Sequence, residues 1–119
     1  MREPPLLSYY VGMNAEIGEF AGWRTPLWFT SNREEHTVVR SSAGLFDITH
    51  MTRIAIRGSE APILLQNVLT IDIEKLKPGK MKYCLMCNEN GGIIDDLTVF
   101  KYSEKQDYFI IVSNAITHD

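Results

Sequence analysis

Cysteine is scarce in this sequence of 119 residues, which contains only Cys84 and Cys87. Two cysteines are too few for the disulfide framework of a small secreted protein. The sequence also lacks an apolar run of signal-peptide length, and no stretch approaches the roughly 18 apolar residues of a membrane-spanning helix. We therefore expect a cytoplasmic protein, or one of the mitochondrial matrix if the source is eukaryotic, although no transit peptide is present.

Positive charge is not concentrated in any part of the chain, and the formal net charge is −3. Binding to nucleic acid or to an anionic membrane requires a concentrated basic face. We therefore expect neither a nucleic acid nor a membrane as partner. The hydrophobic fraction of 45% and the charged fraction of 23% are typical of an ordinary globular domain.

Histidine is also sparse, and His36, His50 and His118 have no regular metal-ligand spacing. We therefore expect no metal site. The two cysteines lie three positions apart, which puts their sulfur atoms on opposite faces if the segment is a strand. In a helical segment the two cysteines would be close enough to form a redox pair or to bind zinc together. The secondary structure of the segment therefore decides between two core cysteines and such a pair.

The apolar pattern predicts an α+β fold, mainly an antiparallel β-sheet with flanking helices. Helices are predicted over residues 5–11, from the capping box Ser31–Glu34 to about residue 42 with a left-handed Gly44, and after a Ser59 cap. Strands are predicted over residues 17–23, 51–57, 82–87, 93–102 and 108–112, the last one central because it is apolar on both faces. Asn90 and the two following glycines are predicted to take positive φ in a hairpin turn.

Two adjacent carboxylates, Asp95 and Asp96, interrupt one of these predicted strands. Because side chains alternate along a strand, one of the two acids must lie on the face that packs on the core. Burial of a charge is costly without a partner, so the buried acid must be paired, exposed in a cleft or kept for function. A plain alternative is that the strand frays there, or that one acid pairs with Lys80 or Lys82.

The face that carries Asp96 is the better candidate for function, because Thr98 and Phe100 share it and Tyr83 or Cys84 meets it across the hairpin. A flat heteroaromatic ligand with ring N–H groups suits such a surface. Aromatic rings stack on the faces of the ligand, and a carboxylate accepts hydrogen bonds from its edge.

Six short fragments of the sequence are informative when taken together. They are F-A-G-W at 20–23, E-E-H at 34–36, V-R at 39–40, A-G-L-F-D-I-T-H-M at 43–51, K-Y-C-L-M-C-N-E-N-G-G-I-I-D-D-L at 82–97 and V-S-N-A at 112–115. They occur in the order and approximate spacing of the glycine cleavage system T-protein family. The sequence thus resembles the N-terminal portion of an aminomethyltransferase and, more broadly, the folate-binding superfamily. Each fragment is short, but together they span nearly the whole chain.

The resemblance implies a transfer reaction. In this family the one-carbon unit passes from the aminomethyl-lipoyl arm of the H-protein to tetrahydrofolate, and ammonia is released. The resemblance implies Asp96 as the key acid and Met51, Tyr83, Phe100 and Asn114, together with Asp96, as folate contacts. Tetrahydrofolate is implied as the acceptor substrate, and the lipoylated H-protein and folate as the partners.

The resemblance also implies an incomplete portion of a three-domain cloverleaf fold around a folate channel. Residues 1–119 would be its N-terminal part, with a first-domain segment over about 1–50 and a second-domain segment over about 51–119. The strand near residue 112 is followed by only a few residues, so we expect the sequence to be the front of a longer protein and residues 1–119 alone to be inactive.

Two positions depart from the family pattern, Thr52 in place of the common glycine and Ile71 in the sequence T-I-D. They leave open a folate-binding module of a sarcosine- or dimethylglycine-type demethylating oxidoreductase. A noncatalytic folate-dependent iron–sulfur maintenance protein is a further alternative. The family motifs begin within the first two dozen residues, so we expect no flavin domain before them, which favours the aminomethyltransferase.

Overall fold

The computed structural model describes residues 1–103 and 107–117, and the chain divides into two structural units, Met1–His50 and Met51–Asp119. The first unit contains a two-stranded antiparallel sheet and two helices. These elements are α1 (Leu7–Gly12), β1 (Glu16–Phe20), β2 (Trp23–Trp28) and α2 (Asn32–Ser41).

The hairpin of β1 and β2 turns through Ala21 and Gly22, whose φ angles are 48° and 79°. Positive φ at both central residues matches the right-handed twist of the strands, and Phe20 pairs with Trp23 directly across the turn. The predicted extended segment is therefore the first half of a hairpin, whose second strand the sequence pattern did not predict.

Helix α2 begins where the capping box predicted it. Ser31 is the N-cap, and its hydroxyl accepts a hydrogen bond from the Glu34 backbone N–H at 3.2 Å. The predicted left-handed Gly44 is wrong, because Gly44 is not among the residues with positive φ. The helix ends at Ser41, and its C-cap Ser42 has φ −147°, so the chain leaves the helix without a left-handed residue at Gly44.

The described part of the second unit contains a four-stranded antiparallel sheet, one α-helix and a short 3₁₀ turn. These elements are β3 (Thr52–Arg57), α3 (Ala61–Val68), β4 (Met81–Cys87), β5 (Ile93–Ser103), β6 (Tyr108–Ser113) and the 3₁₀ turn Ala115–Thr117. The strand order is β3-β6-β5-β4, so β6 is central as predicted. The predicted α+β class, mainly antiparallel with flanking helices, is confirmed.

One local prediction in this unit is wrong, and another is confirmed at one residue only. Glu60, not Ser59, is the N-cap of α3, and it makes no side-chain capping bond. Pro62 lies in the first turn, where its fixed φ suits a helix and its missing N–H costs nothing. In the β4–β5 turn only Gly91 has positive φ, because the Asn88 side chain accepts hydrogen bonds from the backbone N–H groups of Asn90 and Gly92 and shapes the turn itself.

One face of the sheet forms the hydrophobic core together with α3 and the segment that follows it. The buried side chains of this core are Ala61, Leu65, Leu69, Ile73, Leu76, Cys84, Leu97, Val99, Phe109 and Ile111. Alternation along β5 and β6 puts Leu97, Val99, Phe109 and Ile111 on this face. The opposite side chains of β5 and β6 make up a second face, which we call the open face.

Within residues 1–103 and 107–117, no helix is long and apolar enough to cross a membrane.

We predict that Leu65→Ala weakens the second unit. Leu65 is fully buried, and truncation of such a leucine costs about 2–5 kcal/mol through lost burial and a residual cavity. Native-state hydrogen exchange of the β5 and β6 amides should report this as a lower opening free energy. Leu64→Ala on the exposed side of the same helix is the matched control, with an expected change within about 0.5 kcal/mol. Equal effects of the two substitutions would contradict the assigned packing.

Candidate active site

The adjacent acids lie on opposite faces of strand β5. Asp95 lies on the face that carries Leu97 and Val99 and is only 7% exposed. Asp96 lies on the open face and is exposed. Successive side chains of a strand point to opposite faces of the sheet. Two chemically identical carboxylates therefore lie in two different environments.

Both oxygens of Asp96 accept hydrogen bonds from other elements. The Tyr83 hydroxyl on β4 donates to Oδ2 at 3.0 Å, and Asn114 Nδ2, just after β6, donates to Oδ1 at 2.9 Å. A carboxylate offers about four acceptor positions, so each oxygen retains capacity for a further donor. The arrangement therefore holds the carboxylate in place while its exposed side stays available to a ligand.

Asp95 is the centre of a second set of hydrogen bonds. Its Oδ1 accepts from Asn114 Nδ2 at 2.8 Å, and its Oδ2 accepts from the Asn114 backbone N–H at 3.1 Å and from the Thr117 hydroxyl at 2.6 Å. Burial raises the pKa of the Asp95 carboxyl, but the hydrogen bonds from Thr117 and Asn114 outweigh burial, and the pKa lies below its ordinary value. The partners of Asp95 are thus Asn114 and Thr117, and not Lys80 or Lys82.

Thr117 was not singled out as a site residue from the sequence. It lies 22 positions from Asp95 and reaches it only because the 3₁₀ turn Ala115–Thr117 follows β6 directly. The local signal was a threonine three residues after an asparagine in S-N-A-I-T. That pattern predicts a cap or turn and contains no information about a partner on another strand.

The open face beside Asp96 carries a row of side chains that crosses three strands. Tyr83 pairs with Thr98 on β5, and Thr98 pairs in turn with Val112 on β6. Tyr83 is 64% exposed, whereas Thr98 and Val112 are half-buried. Cys84 lies on the core face, so between the two predicted neighbours of Asp96 the register selects Tyr83.

The five residues that the resemblance implied are placed differently. Asp96, Tyr83 and Asn114 are joined by hydrogen bonds. Met51 comes directly before β3, whose Thr52 pairs with Ser113, so Met51 lies at the same end of the sheet as Asn114. Phe100 is on the open face, four residues from Asp96 and thus about 13 Å along the strand. The folate-binding role of all five stays a prediction.

The two cysteines both lie in strand β4, and both are free thiols. Cys84 is buried, and burial raises the pKa of its thiol, which makes it unreactive. Cys87 is half-buried at the end of the strand, after an irregularity in the pairing. The strand placement thus removes the helical arrangement on which a redox or zinc pair depended.

No cluster of three metal-ligating side chains occurs among the residues that the structure describes. His36 lies on α2 and His50 at the end of the first unit, 14 residues later in the chain. His118 lies outside the described residues.

Two hollows lie near other parts of the second unit. One of about 560 Å³ is lined by Gln66, Leu69, Thr70, Ile71, Asp72 and Glu74. Another of about 490 Å³ is lined by Asn67, Val68, Cys87, Asn88, Glu89 and Asn90. None of the predicted site residues lines either of these two hollows. Hydrogen bonding and chemistry identify the candidate site.

The two departures from the family pattern occupy the ends of elements. Thr52 begins β3, and its buried hydroxyl oxygen has no hydrogen-bond partner among the described residues. Ile71 follows α3 and packs against the core. Burial of the unpaired Thr52 hydroxyl therefore lowers the free energy of unfolding, and a glycine at this position would avoid this loss.

We predict that Asp96→Asn lowers the pKa of the Tyr83 phenol. The hydrogen bond to the Asp96 carboxylate raises this pKa above its ordinary value, because ionisation of the phenol would lose the bond and place two negative charges together. NMR titration of ring-labelled tyrosine, with Tyr83 assigned from Tyr83→Phe, measures the change. Asp72→Asn, which removes an exposed acid paired with Lys75, is the control and should leave Tyr83 unchanged. An unchanged Tyr83 pKa in Asp96→Asn would show that the hydrogen bond does not persist in solution.

Comparison with known proteins gives a consistent family. Residues 6–119 match the family model described as GCVT N-terminal domain. The aminomethyltransferase of Thermoanaerobacter sp. strain X514 is 44% identical over 119 residues, which make up 100% of this chain and 32% of that protein. The aminomethyltransferase of Geobacillus kaustophilus is 44% identical over 117 residues, 98% of this chain and 32% of that protein.

A solved structure agrees with these sequence matches. The crystal structure of glycine cleavage system aminomethyltransferase T from Bartonella henselae superimposes with a TM-score of 0.92 at 38% identity, covering 98% of this chain and 32% of that one. The chain thus spans about a third of the length of the relatives that it matches. The fold, the match over residues 6–119 and the sequence identities together show that the chain belongs to the GCVT N-terminal domain family of glycine cleavage T-proteins.

Proposed function

We propose that the protein acts as an aminomethyltransferase of the glycine cleavage system. In this proposal it transfers the one-carbon unit from the aminomethyl-lipoyl H-protein to tetrahydrofolate and releases ammonia. The observation that carries the proposal is the Asp96 carboxylate, which Tyr83 and Asn114 hold by hydrogen bonds on the open face. Family membership and relatives named aminomethyltransferase support the same reaction.

The proposed substrate suits the open face. A pterin is a flat ring with N–H donors at its edge, and both Asp96 oxygens retain acceptor capacity. The exposed Tyr83 ring offers an aromatic surface beside this carboxylate. We infer that Asp96 and Tyr83, with Met51, Phe100 and Asn114, contact the folate.

Asp96 has an electrostatic and orienting role in the proposed chemistry. The pterin N5 attacks the aminomethyl carbon as ammonia leaves, and positive charge of an iminium-like kind develops on the carbon. Cleavage of the carbon–sulfur bond then releases the lipoyl sulfur as a thiol while N10 forms the second bond to the methylene carbon, and the N5 and N10 protons end on the ammonia and the thiol. A carboxylate about 4 Å away stabilises a unit positive charge by about 1 kcal/mol in bulk water, and by about 4 kcal/mol at an effective dielectric constant of 20. The Asp96 side chain is exposed in this chain, so its catalytic effect depends on exclusion of water when the substrate binds.

The proposed partners follow from the same reaction and from charge. The lipoylated H-protein delivers the one-carbon unit, and tetrahydrofolate receives it. We infer a cytoplasmic location and no nucleic-acid or membrane partner, which fits the net charge of −3.

The cloverleaf arrangement of the whole protein, and the placement of residues 1–50 and 51–119 in its first two domains, belong to this proposal. The alternative functions in demethylation or iron–sulfur maintenance receive no support from the relatives described above.

We predict that Asp96→Asn in the whole protein reduces kcat by roughly 10²-fold or more, because the stabilising charge is removed from the transition state. Asp95→Asn should cause a loss at least about tenfold smaller, since Asp95 faces the core and does not touch the substrate. A steady-state assay of methylenetetrahydrofolate formation measures both variants, with the folded fraction determined in parallel. Equal losses, or a greater loss in Asp95→Asn, would overturn the assignment of Asp96.

We also predict that residues 1–119 alone bind tetrahydrofolate weakly and catalyse no turnover. The open face would cover only one side of the ligand and leave the Asp96 carboxylate in water, where its interactions are weakest. Isothermal titration calorimetry should show no saturation up to about 1 mM ligand. The whole protein, titrated under the same conditions, is the control. Binding of equal affinity by the two would show that residues beyond 119 contribute nothing to the site.

A further inference from the structure

Asn114 connects the two acids, although their side chains leave the strand on opposite faces. Its single side-chain nitrogen Nδ2 lies 2.8 Å from Asp95 Oδ1, 2.9 Å from Asp96 Oδ1 and 2.9 Å from the Asp96 backbone oxygen. All three are acceptors only, so the amide must present its NH₂ group here and not its oxygen. Two N–H groups serve three acceptors, which makes one of the hydrogen bonds bifurcated.

The buried Asp95 fixes the orientation of this amide. Its two oxygens accept separately from the backbone N–H and from the side-chain NH₂ of Asn114, so the carboxylate holds the residue at two points. Without Asp95, the Asn114 backbone N–H would lose its acceptor and the amide would keep only its two contacts with Asp96, so Asn114 would be held less firmly. Thr117 adds a hydrogen bond to Asp95 Oδ2 at 2.6 Å, which limits rotation of the Asp95 carboxylate itself.

We propose that Asp95 is a positioning residue that acts through Asn114 to hold the Asp96 carboxylate in the geometry that catalysis requires, with Thr117 as its support. This role rests on the proposed function of Asp96. The chain of hydrogen bonds begins at the Thr117 hydroxyl, which donates to Asp95. The Asn114 amide then links Asp95 to Asp96 Oδ1, and the Tyr83 hydroxyl donates to Asp96 Oδ2. Asp95 touches no substrate in this scheme.

Positioning of the Asp96 carboxylate affects the reaction rate because the side chain is exposed. An exposed carboxylate on a strand samples several rotamers, and only those that point at the reacting atoms contribute to the rate. Donors on both oxygens narrow this distribution before substrate binds. A purely structural Asp95 would stabilise the 3₁₀ turn and leave the Asp96 rotamer unaffected.

The test uses the whole protein and three variants. Asp95→Ala removes all three acceptor contacts, whereas Asp95→Asn retains one side-chain oxygen and serves as the conservative rescue variant. Val99→Ala, which truncates another buried side chain of the same strand, is the matched control for loss of stability alone. Unfolding midpoints are measured for each variant, and rates are corrected for the folded fraction.

We expect Asp95→Ala to lower kcat roughly two- to thirty-fold and Asp95→Asn to recover part of this loss. In Val99→Ala, kcat corrected for the folded fraction should stay at the wild-type value. Crystal structures of the wild type and Asp95→Ala provide a readout independent of activity. In the variant, Asn114 Nδ2 should leave hydrogen-bond distance of Asp96 Oδ1. An unmoved Asn114–Asp96 contact, or a kcat loss no greater than that of Val99→Ala, would overturn the positioning role.

Variants of Thr117 provide a second test, which applies even if Asp95→Ala does not fold. Thr117→Val removes only the hydroxyl and should lower kcat in the same direction by a smaller factor, and Thr117→Ser should restore it. Equal rates for valine and serine would overturn the role of Thr117 as support for Asp95. Failure of the proposed function is distinguishable, because Asp96→Asn would then retain activity while the crystal structures still showed Asn114 displaced in Asp95→Ala.

Discussion

Adjacent side chains of an extended strand cannot share one face of a sheet, and the candidate site depends on this constraint. It places Asp95 in the core and Asp96 on the open face, within one Asp–Asp pair. A shift of one residue in the register of β5 would exchange the two acids and also move Leu97 and Val99 out of the core. The burial of these apolar side chains therefore keeps the Asp96 carboxylate on the open face.

The energetic balance at Asp95 shows how such a position is tolerated. A buried carboxylate without partners costs several kcal/mol, which is a large part of the stability of a small domain. Three hydrogen bonds from Asn114 and Thr117 offset this cost and lower the pKa of the carboxyl below its ordinary value. The acid therefore stays ionised at neutral pH, and its charged oxygens in turn orient the Asn114 amide.

Local patterns in the sequence predicted much of the fold. The capping box at Ser31, the hairpin strands β4 and β5 and the doubly apolar strand β6 are signals contained within a few consecutive residues. The errors also have local causes. Gly44 and Ser59 have the residue types of caps, but Ser42 ends α2 with a negative φ and a proline lies in the first turn of α3.

The sequence by itself determined the alternation that separates the two acids, the antiparallel class and the family resemblance, because each depends on residue types and short spacings. Only the tertiary structure decided which acid is buried, that Tyr83 and not Cys84 meets Asp96, and that Asn114 joins both acids. Asn114 and Thr117 lie 19 and 22 positions from Asp95. Contacts over such separations depend on sheet register and strand order, and periodicity within a strand contains no information about either.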